Sequence, residues 1–235
     1  HVPFYEAVLD HVRVAGGTRL LDAGCGAGLA LALAAGRGAD VAGLDASPGM
    51  LAVARERVPG ADLRVGDLEA LPFGDGAFDV VTAFNALQFS GRPGRAVQEM
   101  RRVVRAGGRV AVLVWGDRAR SDMRDVFAAM AALGPPLPPG TPGPFALSAD
   151  GAIEGLMRDA GLVPEDAFDV PTPFAYPDLA TAVECQTASG VAARVARHAG
   201  EAALMAALEA ALRPYRRDDG TVRLDNVFRA VVAGA

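Results

Sequence analysis

Five short apolar segments alternate with segments of helical periodicity through the first half of the chain, and no other feature constrains the fold as strongly. The apolar segments are TRLLDAG, VAGLDAS, ADLRVGD, FDVVTAFN and RVAVLVWGD. Helices are predicted between them over GLALALAAG, PGMLAVARERV and RPGRAVQEMRRVVRAGG, the last ending at Gly107 and Gly108. Continuous apolar strands separated by helices indicate a mostly parallel sheet with helices on both faces. The sequence therefore predicts a doubly wound α/β fold.

The second half of the chain has a different organisation. A helix is predicted over about residues 121–133, followed by the proline-rich segment GPPLPPGTPGP at 134–144. Its prolines exclude a helix or a central strand, which leaves a surface linker or a loop over an active site. The remaining predicted elements are the helix LSADGAIEGLMRDAG, the strand LVPEDAFDVPTPF, the helices PDLATAVECQTAS and HAGEAALMAALEAAL, and the final strand TVRLDNVFRAVVA. We expect one domain over residues 1–235, with a cofactor-binding half at about 1–116 and a substrate-side half carrying helical cap elements at about 117–235.

Charge and composition argue against several classes of function. The net charge of −5 argues against sequence-independent binding of nucleic acid, which needs a concentrated basic surface. No apolar run approaches the roughly 18 residues of a membrane-spanning helix. Cys25 and Cys185 are far apart and form neither a disulfide framework nor a zinc site, so we expect no metal and a reducing, cytoplasmic compartment. The oligomeric state is not predicted.

The segment LLDAGCGAG at residues 20–28 follows the first strand and is shaped to approach a ligand closely. Gly24, Gly26 and Gly28 have the spacing G-x-G-x-G, which differs from the G-x-G-x-x-G fingerprint of dinucleotide-binding proteins. Asp22 stands two residues before the first glycine, where its carboxylate would repel a pyrophosphate. A nucleoside ligand that carries an ammonium and a sulfonium, such as S-adenosylmethionine, fits this loop better. The acid and the spacing together argue against an NAD-dependent oxidoreductase.

Two further acids follow the next two strands. Asp45 ends the second strand, where a carboxylate can accept both hydroxyls of a ribose. Asp67 follows the third strand, where it can accept the exocyclic amine of adenine while the backbone of Leu68 contacts the ring edge. Met50 can lie against the nucleoside, although a methionine is equally common in a core. Three acids at the carboxyl ends of successive strands lie where open α/β sheets bind ligands.

The segments LLDAGCGAG, VAGLDASPGMLAVAR, VGDLEALPFGDGAFDVVTAFNALQF and EMRRVVRAGGRVAVLVWG resemble class I S-adenosylmethionine-dependent methyltransferases. Within that superfamily the chain is similar to the small-molecule group that includes ubiquinone- and menaquinone-biosynthesis methyltransferases. The resemblance covers about residues 18–116. It implies a seven-stranded Rossmann-like sheet whose last strand is antiparallel, with S-adenosylmethionine as cofactor and S-adenosylhomocysteine as product. The cofactor-binding residues predicted on all these grounds are Asp22, Gly24, Cys25, Gly26, Gly28, Asp45, Ala46, Met50, Asp67, Leu68, Phe84 and Asn85.

The acceptor of the methyl group is less well defined. Relatives often carry a histidine pair after the fourth strand, whereas this chain has ALQFS there, so no histidine base is available at that position. The Asn-Pro-Pro-Tyr signature of methylation at planar nitrogens is also missing. We predict that Asn85, Gln88, Trp115, Phe145 and Tyr176 line the substrate pocket. No catalytic residue is assigned, and the candidates are His198, Tyr176 and Gln88.

These observations predict methyl transfer from S-adenosylmethionine to a small-molecule acceptor, by in-line displacement driven by proximity. The arginine-only, alanine-rich composition associates the chain with bacterial secondary metabolism. The alternative is a protein that binds S-adenosylmethionine but catalyses cyclisation or decarboxylation, or acts as a binding module.

Overall fold

The computed structural model describes residues 2–136 and 141–235. Its helices are α1 Val2–His11, α2 Leu29–Gly36, α3 Pro48–Arg57, α4 Pro93–Val103, α5 Met123–Leu133, α6 Ala152–Asp159, α7 Leu179–Thr187, α8 Gly190–Ala199 and α9 Glu201–Leu212. Its strands are β1 Arg19–Ala23, β2 Asp40–Asp45, β3 Asp62–Val65, β4 Phe78–Phe84, β5 Val104–Trp115, β6 Val163–Pro171, β7 Phe174–Tyr176, β8 Val222–Leu224 and β9 Val227–Gly234. The predicted loop at 134–144 includes residues 137–140, which lie outside the described residues.

Seven strands form one sheet in the order β3-β2-β1-β4-β5-β9-β6. β1 is parallel to both β2 and β4, so that Asp22 lies opposite Gly43 on one side and Thr82 on the other. β9 is antiparallel to β5, with Val112 opposite Val231. The predicted doubly wound sheet, mostly parallel with one antiparallel strand, is therefore confirmed.

Burial and capping explain why these segments take these conformations. β1 and β4 are buried along almost their whole length, because helices cover both faces of a parallel sheet. α3 begins with Pro48, whose missing N–H costs nothing at a first helical position, and the Ser47 hydroxyl accepts a hydrogen bond from Met50 N at 3.3 Å. α4 is amphipathic and turns Val97 and Met100 into the core.

Two predicted boundaries are wrong, and one helix was not predicted. α4 ends at Val103, not at Gly107 and Gly108, because Val104–Trp115 is already strand with a register shift against β4. α8 was not predicted, although Ser189 caps it by accepting from Ala192 N at 3.1 Å. The predicted final strand is two strands, because β8 pairs with β7 in a separate two-stranded sheet while β9 joins the large sheet.

The chain divides into two compact units. The first contains residues 1–115, 145–170 and 228–235, and so holds almost all of the large sheet. The second contains 116–144 and 171–227, where α9 packs against α5, α7 and α8 around Leu204, Leu208 and Leu212. The division into two functional halves at about residue 116 stays a prediction. Among residues 2–136 and 141–235, no helix combines the length and the apolar character needed to cross a bilayer.

Candidate functional site

The glycine-rich loop between β1 and α2 is held against the ends of two neighbouring strands. The amides of Gly24 and Cys25 both donate to the carbonyl oxygen of Leu44, at 2.7 and 2.9 Å. Gly24 has φ of 85°, and a Cβ placed on it would lie only 2.3 Å from Ala86 Cβ. Glycine is therefore required at this position both for the left-handed backbone and for the close approach to the turn after β4.

Asp45, the last residue of β2, is held by backbone amides at both carboxylate oxygens. Oδ2 accepts from Gly26 N and Oδ1 accepts from Ser47 N, each at 2.8 Å. These two bonds fix the orientation of the carboxylate beside the glycine-rich loop. Each oxygen keeps a lone pair for a further donor, since an ionised carboxylate has about four acceptor sites.

Asp22 belongs to β1, two residues before Gly24 of the glycine-rich loop, and is only 1% exposed. Its Oδ1 accepts a hydrogen bond from Thr82 Oγ1 of β4 at 2.8 Å. Burial raises the pKa of Asp22 to about 7; the Thr82 hydrogen bond works against this rise and the negative charge of Asp45 adds to it. Two neighbouring carboxylates that repel each other favour a cationic ligand and disfavour a pyrophosphate.

The third acid, Asp67, is exposed after β3, and its Oδ1 accepts from Glu69 N at 2.9 Å. Glu69 in turn joins this loop to the turn after β4. Its Oε1 accepts from Ser90 Oγ at 2.9 Å and from Arg92 N at 2.7 Å, while its Oε2 accepts from Arg92 Nε at 2.7 Å. Glu69 was not predicted, because its partners lie more than twenty residues away in the sequence.

The turn after β4 is built around Asn85, which has φ of 52°, unusual for a residue other than glycine. Its amide donates to Leu113 O of β5 at 2.7 Å. Gln88 is buried, and its Nε2 donates to Asn85 O at 3.0 Å, while its Oε1 has no hydrogen-bond partner among the described residues. Phe89, beside it, is 72% exposed. The predicted pocket residues Asn85 and Gln88 therefore lie next to the glycine-rich loop, which contacts Ala86.

Tyr5 of α1 and Arg57 of α3 also lie close to the candidate site, although no sequence motif points to either. The Tyr5 ring is 4.9 Å from the ring of Phe84, measured between centroids. Burial, with the charge of Asp22 added, raises the pKa of the Tyr5 hydroxyl, while Arg57 counteracts this rise. Arg57 Nη1 donates to Ala27 O of the loop at 2.5 Å.

Other predicted cofactor residues differ in how they are placed. Cys25 is buried, and burial raises the pKa of its thiol, so the side chain is a protonated packing group. Gly28 has φ of 77°, and a Cβ there would lie 3.0 Å from Ala54 Cβ of α3. Close packing against α3 therefore favours glycine at this position.

The other predicted cofactor residues are more accessible. Ala46 is exposed, and Met50 is 44% exposed with its Cε directed toward Gly26. Leu68 is half-buried near Gly24.

The remaining candidates lie farther from the loop in the sequence. Trp115, at the end of β5, is 5% exposed and stacks on Phe228 at 4.4 Å between ring centroids. Phe145 is half-buried, with its ring centroid 5.7 Å from that of Trp115. Tyr176 and His198 belong to the second unit. Tyr176 accepts a hydrogen bond from Gln186 Nε2 at 2.9 Å, and His198 is exposed in the last turn of α8.

Residues 21–112, which hold Asp22, the glycine-rich loop, Asp45, Asp67 and the turn after β4, match the family described as "Methyltransferase domain". This segment is a methyltransferase domain. The resemblance to class I S-adenosylmethionine-dependent methyltransferases that the motifs predicted is confirmed.

Several curated proteins and solved structures are similar to this chain. The chain is 38% identical over 120 residues to the demethylmenaquinone methyltransferase of Renibacterium salmoninarum, covering 51% of each chain. It spans about half the length of the first curated relatives that it matches. The YcgJ protein of Bacillus subtilis shares its fold with a TM-score of 0.67 at 18% identity, over 100% of this chain and 98% of that one. A geranyl diphosphate methyltransferase solved in complex with SAM has a TM-score of 0.59 at 20% identity, over 98% of this chain and 84% of that one.

Proposed function

We propose that this protein transfers a methyl group from S-adenosylmethionine to a small organic acceptor. One observation carries the proposal: three carboxylates, Asp22, Asp45 and Asp67, follow one another at the carboxyl ends of β1, β2 and β3 around a left-handed glycine turn. The negative charge suits a cationic nucleoside, and the position is where open α/β sheets bind ligands. The match of this segment to a methyltransferase family supports the same conclusion.

The residues present fit this cofactor. Asp45 is already oriented by Gly26 N and Ser47 N, and its free lone pairs suit two ribose hydroxyls. Asp67 and Leu68 are proposed to contact the adenine, with the exposed thioether of Met50 against its face. At the other end, the buried charge of Asp22 suits an ammonium group, and the cation Arg57 with the Tyr5 hydroxyl suits a carboxylate.

When bound, S-adenosylmethionine supplies an electrophilic methyl carbon on a sulfonium. The chain is proposed to contribute orientation and exclusion of water. The amides of Asn85 and Gln88 can hold an acceptor by hydrogen bonds, but they cannot take its proton. Burial raises the pKa of Tyr176, which disfavours a phenolate base, and His198 is exposed on α8; both stay candidates. An acceptor that needs no strong base suits this site best.

We further propose that the methyl acceptor is a metabolite of a bacterial cell and not a nucleic acid. We also propose that the reaction takes place in a reducing, cytoplasmic compartment. The acidic net charge of −5 supports the exclusion of nucleic acid. Cys25 and Cys185 are both free, which suits a compartment where thiols stay reduced. The demethylmenaquinone methyltransferase relative, which is named for a small organic acceptor, supports this class of substrate.

The test combines calorimetry with product analysis. Asp45→Ala is compared with Asp40→Ala, a matched control at the opposite end of β2. We expect Asp45→Ala to weaken S-adenosylhomocysteine binding by about 10- to 100-fold, the cost of charged hydrogen bonds, and Asp40→Ala to bind like the wild type.

The second arm incubates the wild type with methyl-deuterated S-adenosylmethionine and a diverse metabolite pool, and follows the label by mass spectrometry. A deuterated product that the Asp45→Ala protein does not form is expected. Conversion of a metabolite without label and without S-adenosylhomocysteine release would refute methyl transfer and favour a cofactor used for another reaction. Equal binding by the two variants would refute the proposed site.

A further inference from the structure

A cavity lies near the amino ends of β1, β4 and β5, whereas the candidate site lies at the carboxyl ends of the parallel strands. The cavity has a volume of about 350 Å³ and opens between the turn that follows α1 and the start of the strands β4 and β5. Its lining includes Arg13, Gly16, Thr18, Asp79, Arg105 and Arg109, all within the first compact unit. The volume is in the range of small-molecule sites, roughly 300–1,000 Å³.

Positive charge predominates around this cavity. Three arginines line it, and Arg19 stands at its edge. The single lining carboxylate, Asp79, is shared by two of these cations: it accepts from Arg105 Nε at 2.6 Å and contacts Arg19 Nε at 3.6 Å. Arg105 holds the pKa of Asp79 below its usual range. Arg109 contacts Glu165 at 3.1 Å. Four guanidinium groups at or beside the cavity are therefore accompanied by two carboxylates.

Arg13, which lines the cavity, has an unusual backbone conformation. It has φ of 59°, a left-handed conformation just after α1, where its amide donates to Asp10 O at 3.0 Å. Glycine usually occupies such a position, and a side chain there is strained. The Arg13 guanidinium nevertheless makes no ion pair or hydrogen bond within the part of the chain that the structure describes. Arg13 is exposed to solvent at the cavity that it lines, so its guanidinium is available to a ligand there, at a position where the backbone itself favours glycine.

We propose that this cavity binds a phosphate monoester group. The planar guanidinium of Arg13 can donate two parallel hydrogen bonds to one phosphate, and Arg105 and Arg109, which also line the cavity, add positive charge. The Gly16 amide is free of hydrogen bonds within the described residues and can donate a third. The remaining volume accommodates a small organic group attached to the phosphate.

The test is a titration of ¹⁵N-labelled protein with inorganic phosphate at constant ionic strength, followed through the amide signals of Gly16, Gly17, Gly107 and Gly108. Saturable shifts are expected, and Arg13→Gln should raise the phosphate Kd about tenfold because two charge-assisted bonds are lost. Arg101→Gln, on α4 outside the cavity, removes the same charge and should leave the Kd unchanged.

Arg13→Gly provides a second variant that keeps the fold. Glycine adopts a φ of 59° without strain, so this protein should melt at a higher temperature than the wild type in phosphate-free buffer and still lose phosphate binding. Equal phosphate affinities in the wild type and both Arg13 variants would refute the site. Saturation by acetate at the same affinity as phosphate would also refute it, since a carboxylate site would then explain the cavity.

Discussion

Replacing Asp22 with asparagine should stabilise the free protein at pH 8. Burial raises the pKa of this carboxyl to about 7, from an ordinary value near 4. Each pKa unit between the folded and unfolded states corresponds to about 1.4 kcal/mol, so the ionised carboxylate costs the fold about 4 kcal/mol. Asparagine keeps an oxygen for Thr82 Oγ1 but buries an amide donor, which costs about 1–3 kcal/mol. The expected net gain at pH 8 is about 2 kcal/mol.

The sign of the pH dependence follows from the raised pKa of Asp22. Between about pH 4 and pH 7 the folded state binds more protons than the unfolded state, so wild-type stability from this group falls as the pH rises and levels off above 7. Asp22→Asn lacks this slope. Urea denaturation at pH 4, 5, 6, 7 and 8 gives the free energy of unfolding of both proteins. The value for Asp22→Asn minus the value for the wild type should grow by about 4 kcal/mol from pH 4 to pH 8.

Asp79→Asn is the matched control, because its carboxyl has a pKa lowered by Arg105. This substitution should destabilise the protein at pH 7, and its effect should shrink as the pH falls through the lowered pKa. A stability difference between Asp22→Asn and the wild type that stays constant from pH 4 to pH 8 would show that Asp22 titrates normally and would refute the reasoning.

Asp22→Asn should also weaken S-adenosylhomocysteine binding, because the site loses the charge that favours an ammonium.

Two further predictions concern the glycine-rich loop and α1. Gly24→Ala should destabilise the protein by about 2–4 kcal/mol in urea denaturation, because its Cβ would meet Ala86 Cβ at 2.3 Å with φ of 85°. Gly155→Ala, inside α6 with open space around it, should instead stabilise by up to about 1 kcal/mol, and equal stabilities would contradict the packing argument. Tyr5→Phe keeps the ring contact with Phe84 and should weaken S-adenosylhomocysteine binding about fivefold at an unchanged melting temperature. An unchanged affinity in calorimetry would place the hydroxyl outside the site.

The large sheet was predictable because its signals are local. An apolar strand, a glycine turn and a capped helix each occupy fewer than about a dozen residues, and their periodicity is visible in the chain itself. α8 is amphipathic and buries Ala192 and Val195, but it was missed because alanine fills most of its apolar positions, which makes the periodic signal weak in the sequence. The end of α4 was missed because Gly107 and Gly108 signal a helix stop, whereas pairing with β4 already extends the backbone from Val104.

The sequence by itself determined which residue types stand at the candidate site: three acids, each following a strand, and a left-handed glycine turn. Tertiary structure alone decided how they behave. Asp22 gains its raised pKa from burial and from Asp45, and Gly24 is required because Ala86 approaches it. Likewise Glu69 joins two loops through Ser90 and Arg92. The physical reason is that a local pattern sets backbone conformation, whereas desolvation, close contact and long-range hydrogen bonds depend on which segments packing brings together.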